Sequence, residues 1–111
     1  MSASSPPRLA AIATATPPHR FSQAEVREEA RRAFSERADL FKRLESVFDN
    51  AGVETRYFSR PLDWFHEPRG WTISNAAYLE VAESLLEQAA ALALRRAGIA
   101  ALQIDTIVTV S

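Results

Sequence analysis

Helical spacing of apolar residues governs three stretches of this chain, and unbroken or alternating apolar runs govern the rest. Val26, Ala30, Ala33 and Phe34 recur at the interval that lines one side of an α-helix. They follow Ser22-Gln23-Ala24-Glu25, a capping box in which the serine hydroxyl accepts from a free backbone N–H while the glutamate reaches back to the cap. A helix is predicted from there to about Phe34. Its other faces carry Glu25, Arg27, Glu28, Glu29, Arg31 and Arg32, a solvated surface with opposite charges spaced to pair at i,i+4. A second helix is predicted from near Asp39, with Leu40, Leu44, Val47, Phe48 and Ala51 facing inward, Phe41 on the buried edge and Gly52 as its stop. The longest runs from an N-cap at Ser74 or Asn75 to Arg96 and ends at Gly98. Glu80, Glu83 and Glu87 lie in its first half and Arg95 and Arg96 close it, which suits the helix dipole. Its second half, AAALALRR, is apolar nearly all round and predicts burial on more than one side.

Three segments read as strands. Residues 9–15, LAAIATA, are a continuous apolar run closed by Thr16-Pro17-Pro18, whose prolines forbid further ladder pairing. Residues 105–111, DTIVTVS, suit the inside of a parallel sheet. Residues 53–59 alternate through Val53, Thr55 and Tyr57, the pattern of a short strand. The intervening loop, 60–70, holds Trp64 and Phe65, with Trp71 just beyond, and a loop so rich in aromatic mass is expected to be pinned to a surface. Two interior strands with one short strand between them leave long open edges. The missing neighbours are expected from residues after Ser111 or from another chain.

Composition narrows the function classes. The 111 residues make one domain at most, and 47% hydrophobic with 24% charged residues is the balance of an ordinary soluble globular protein. Thirteen basic against fourteen acidic residues leave a net charge of -1, which removes any global electrostatic case for nucleic acid or an acidic membrane surface. Without cysteine there is no disulfide framework, no thiolate metal site and no cysteine nucleophile. The longest apolar stretch, AAALAL at 89–94, is too short to span a bilayer. Residues 1–8 read as a disordered lead-in with no signal pattern, so a cytoplasmic setting is expected. His19, behind a Pro-Pro turn, and His66, in a charged loop, are expected to be surface or structural residues.

The stretches LAAIATATPPHRFSQ, FDNAGVETRYFSRPLDWF, GWTISNAAYLEVAESLLEQAAALALRRAGI and IDTIVTVS resemble the N-terminal region of type III polyketide synthases, the chalcone- and stilbene-synthase-like enzymes in their bacterial form. The resemblance runs from about Arg8 to Ser111. Its most specific pieces are Gly52-Val53-Glu54-Thr55-Arg56-Tyr57 and Trp71 with Asn75, Tyr78 and Leu79. It implies an α/β chain that is the start of a thiolase-like α-β-α-β-α fold, with an incomplete sheet, in a homodimeric enzyme. Residues 1–111 would then be the N-terminal segment of the first of two similar halves.

The chemistry implied is decarboxylative Claisen condensation of acyl-CoA starters with malonyl-CoA, coenzyme A thioesters being substrates and no cofactor being required. In the family a cysteine, a histidine and an asparagine carry that reaction, and all three lie C-terminal to this stretch, so no catalytic residue and no metal site is assigned here. In the plant enzymes three basic residues on the helix before the Arg-Tyr pair approach the coenzyme A phosphates. Those positions fall at Arg43, Ser46 and Asn50, of which Arg43 alone keeps the charge; Lys42 is adjacent and able to substitute. The plain alternative is that Lys42 and Arg43 are solvated cations. Arg56 is expected in a structural ion pair, and Trp64 and Trp71 in packing. Two other readings stand beside this one: a ketoacyl synthase that initiates fatty-acid chains, disfavoured by the Trp71/Asn75/Tyr78 pattern, and a non-catalytic module that binds an acyl-CoA or caps a partner's sheet.

Overall fold

Ser22 closes one element and opens the next. In the computed structural model, which describes residues 5–111, strand β1 (His19–Ser22) runs directly into helix α1 (Gln23–Ala33). The capping box is present at the junction: the Glu25 N–H donates to Ser22 Oγ at 3.2 Å and the Ser22 N–H donates to Glu25 Oε2 at 2.7 Å. Phe34 caps the other end, its N–H donating to the Ala30 carbonyl at 3.0 Å. Residues 1–4 of the expected lead-in lie outside the described residues.

Helices α2 (Ala38–Leu44) and α3 (Ser46–Asn50) follow, divided at Glu45. The backbone of Glu45 stays helical at φ -59, ψ -36, so the predicted single helix is a nearly continuous one with a local lapse in its ladder. Its buried side is the expected one only in part: Leu40 and Phe48 are half-buried, and the centre shifts to Phe41. Phe41 is 5% exposed and packs against Phe34 and Phe48, with ring centroids 6.2 and 6.1 Å away, whereas Leu44 and Val47 are 48% and 57% exposed. Two forces explain the turn of the helix. Phenylalanines bring more apolar area to α1 than leucine and valine do. Ion pairs from Arg27 to Asp49 and from Arg31 to Glu45 then fix the same side against α1. The charged face of α1 is thus partly a clamp between helices, and Arg27 and Glu29 are half-buried.

Gly52, at φ +65, takes the left-handed conformation that an L side chain rarely adopts and releases the chain toward β2 (Thr55–Phe58). β2 pairs antiparallel with β1 in the register His19↔Phe58, Arg20↔Tyr57, Phe21↔Arg56 and Ser22↔Thr55. Phe21 and Phe58 meet on the inner face, centroids 5.8 Å apart. The short strand expected in this segment is present, with Thr55, Arg56 and Phe58 half-buried and Tyr57 exposed. A short turn, Leu62–His66, interrupts the loop that follows. Helix α4 (Trp71–Ala97) starts earlier than predicted. Ser74 is inside the first turn, its N–H donating to the Gly70 carbonyl at 3.1 Å and its hydroxyl to the Arg69 carbonyl at 3.3 Å. Gly98, at φ +66, ends the helix as expected.

The chain divides into two compact units, Thr16–Val81 and Met1–Ala15 with Ala82–Ser111. The first contains the sheet, α1 to α3 and the start of α4. In the second, the expected strands at 9–15 and 105–111 form no ladder. A strand is held by its neighbour's hydrogen bonds, and among the described residues the only pairing is that of β1 with β2. Ile12, Ile107, Val108 and Val110 are consequently exposed, and Arg96 Nη1 ties the leading segment by donating to the Ile12 carbonyl at 3.2 Å. The all-round burial expected for the second half of α4 is also absent: Leu92, Ala93 and Leu94 are half-buried while Ala90 and Ala91 are exposed. The chain is thus mixed and mostly helical, with a small antiparallel sheet in place of the parallel one anticipated; this is consistent with part of an α/β fold. Among the described residues no helix is long and apolar enough to cross a membrane.

Candidate functional site

The sequence-selected cations stand at the end of α2. Lys42 and Arg43 are both exposed, in its last turn, and neither forms an ion pair among the described residues. Because Glu45 keeps helical dihedrals, Arg43, Ser46 and Asn50 retain their three- and four-residue stepping across the join, and all three are exposed. The arrangement offers one guanidinium and two neutral hydrogen-bonding groups to an anion. That is a weaker electrostatic cradle than three cations, since bonds to a phosphate are strongest when the donor is charged.

Behind this surface lies a polar staple that sequence reasoning missed in part. Arg56 Nε donates to Gln23 Oε1 at 2.7 Å, and Gln23 Nε2 donates to the Phe48 carbonyl at 2.9 Å. The Gln23 N–H also donates to the Glu54 carbonyl at 2.9 Å. Arg56 is therefore structural as expected, but its partner is a neutral amide and not an acid. Arg31 is held above its ordinary guanidinium range by its hydrogen bonds to Glu45 and then to Glu28. These contacts hold the helix bearing Arg43 at both its halves.

The loop 60–70 is pinned to itself and to its own unit. The Arg69 guanidinium lies over the Trp64 ring, 4.6 Å from its centroid, while its Nε donates to the Trp64 carbonyl at 3.1 Å. Trp64 also meets Phe65 edge-on at 5.0 Å, and Arg60 pairs with Glu80 at 2.7 Å. Trp71, by contrast, is 83% exposed, so the packing expected of it is not made. His19 is half-buried in β1. His66 pairs with Glu29 at 2.6 Å beside an apolar groove of about 350 Å³ lined by Val26, Ala30, Ala33, Phe58, Leu62 and Phe65. No signal in the sequence put residues 29 and 66 together, because their contact depends on where the loop returns to α1.

Comparison with known proteins gives this surface its context. The chain is 37% identical over 103 residues to a 1,3,6,8-tetrahydroxynaphthalene synthase of Streptomyces peucetius subsp. caesius, a bacterial type III polyketide synthase. The chain is similar to part of a type III polyketide synthase. The match takes in 93% of this chain and 27% of the synthase, so the chain spans about a quarter of the length of the curated relative it matches. No family model matches the chain, and no solved structure does. The resemblance carried by the Gly52–Tyr57 stretch and by Trp71, Asn75, Tyr78 and Leu79 thus rests on a relationship extending over nearly the whole chain.

Proposed function

We propose that this chain is the N-terminal segment of a type III polyketide synthase, the beginning of its first thiolase-like half, within a homodimeric cytoplasmic acyltransferase. The 37% identity to the tetrahydroxynaphthalene synthase over 93% of the chain carries this reading. Burial supports it: among the described residues only Phe41 and Ala77 are buried, and apolar residues from Leu9 to Val110 stand in solvent, which is surface that a larger body would cover. In this reading a cysteine thiolate elsewhere in the synthase takes the acyl group from its coenzyme A thioester. Malonyl-CoA then loses carbon dioxide, the resulting enolate carbon attacks the acyl thioester, and the cysteine thiolate leaves as the new carbon–carbon bond forms. Nothing in these 111 residues supplies that nucleophile, since they contain no cysteine. Their part is architecture and substrate capture. Arg43, assisted by Lys42, would draw the phosphates of the incoming acyl-CoA and malonyl-CoA to the surface of α2.

The test uses the full reading frame that contains this segment, incubated with malonyl-CoA alone and with a series of acyl-CoA starters. Release of carbon dioxide and free coenzyme A, with a condensed product by mass spectrometry, is the expected result. A folded protein that leaves malonyl-CoA intact with every starter would sink the reading.

A further inference from the structure

His66 presents one ring nitrogen to two groups of opposite charge. Nε2 lies 2.6 Å from Glu29 Oε2 and 3.3 Å from Arg32 Nη1, while Arg32 and Glu29 are themselves 3.5 Å apart. One imidazole nitrogen cannot serve both partners. Carrying a proton it donates to the carboxylate; bare, it accepts from the guanidinium. His66 ends the turn Leu62–His66, and Leu62 and Phe65 of that turn wall the apolar groove whose other side is Val26, Ala30 and Ala33 of α1. The His66 contact therefore bridges the two walls.

We propose that His66 is a proton-operated latch that sets how firmly this turn closes on α1. Protonated, the ring commits Nε2 to Glu29 with a charge-assisted bond and fastens the groove. Neutral, it is divided: one tautomer still donates to Glu29 without charge, the other accepts from Arg32, and the closing force falls. The Arg32 guanidinium opposes protonation, but it is the more distant group, and its side chain is 67% exposed and free to stay with Glu29 Oε1 while leaving Nε2. The charged residues nearest His66 along its own segment are Asp63, Glu67 and Arg69, the last of them held over Trp64; β2 contributes the apolar Phe58. This device is independent of whether the chain belongs to a condensing enzyme.

For a contact of this exposure, opening of the turn rises about two- to fivefold between about pH 5 and about pH 8. Amide protection across the 62–66 turn, corrected for intrinsic exchange and referred to Phe41 as an internal standard, reads it directly on the chain. Wild type should show the change. His66→Gln keeps a donor that does not titrate and Glu29→Gln keeps an acceptor without charge, so both should give flat profiles. The ¹⁵N signals of the wild-type imidazole need no variant, and should move from the doubly protonated ring to the neutral one over the same range. A wild-type profile that is flat, a Glu29→Gln profile that matches wild type, or an imidazole that keeps one charge state throughout would each overturn the latch.

Discussion

Gln23 holds Arg56 by its side-chain amide, accepting from Arg56 Nε at 2.7 Å while donating to the Phe48 carbonyl at 2.9 Å. One side chain thus joins the start of α1, strand β2 and the end of α3. Gln23→Leu leaves both a part-buried guanidinium and a carbonyl without their partner, and is expected to cost about 1–3 kcal/mol. Gln23→Glu keeps an acceptor for Arg56 and should cost less. Urea denaturation of the two variants beside wild type measures both.

Phe41 rather than Leu44 is the anchor of α2. Phe41→Ala should destabilise the Thr16–Val81 unit by about 3–5 kcal/mol, because three phenylalanine rings lose their common contact. Leu44→Ala, at a position 48% exposed, should cost under about 1 kcal/mol. Equilibrium unfolding of the pair checks the helix orientation, and a Leu44→Ala loss exceeding that of Phe41→Ala would reverse it.

The capping box gives stability a pH dependence of known sign. Glu25 is held below its ordinary carboxylate range, chiefly by the hydrogen bond from the Ser22 backbone and then by the Ser22 hydroxyl. Its carboxyl binds a proton less readily folded than unfolded. The stabilisation is therefore complete above the ordinary carboxylate range and is lost as pH falls through the lower, folded value. Glu25→Gln should be less stable than wild type at neutral pH, with the gap closing in acid; melting curves followed by circular dichroism at a series of pH values test this. Ser22→Ala removes the cap itself and should cost about 1 kcal/mol.

If the proposed function holds, Arg43→Ala in the full reading frame should raise the KM for acyl-CoA about three- to tenfold with kcat little changed, the pattern of lost ground-state binding. Lys42→Ala should have a smaller effect, and the double variant a larger one. Steady-state kinetics with a short acyl-CoA decides it: unchanged KM in both single variants returns Lys42 and Arg43 to the status of solvated cations.

Exposed Ile107, Val108 and Val110 make the isolated chain prone to self-association. Val108→Lys should shift sedimentation toward the monomer at a given concentration, without altering the helical signal.

Local physics was legible in the sequence and long-range pairing was not. The Ser22–Glu25 cap and the Gly52 and Gly98 stops depend on residues within one turn of each other, and they stand where expected, while α4 begins at Trp71, ahead of its expected cap. The strands at 9–15 and 105–111 were read from apolar runs that announce burial without naming a partner. Strand β1 was missed for the converse reason: HRFS has little apolar character, and its partner lies far along the chain. On α2 and α3 the period was right and the face right only at Leu40 and Phe48, since periodicity alone does not rank Phe41 above Leu44. Of the candidate site, the exposure of Arg43, Ser46 and Asn50 on one helical course was legible, while the Gln23 staple and the Glu29–His66 contact depended on tertiary placement.

The β1–β2 ladder has a kinetic consequence. Gln23 and Arg56, which seal its end, are 33 positions apart, and the whole of α1, α2 and α3 lies in the loop they enclose. Closing so long a loop costs entropy before any strand bond repays it, whereas the helices gain their bonds locally. The order of events is thereby set: α1 to α3 condense on Phe41 first, and the ladder zips afterwards. A destabilising change at Phe41 should slow refolding, while one at Phe21 or Phe58 should chiefly hasten unfolding.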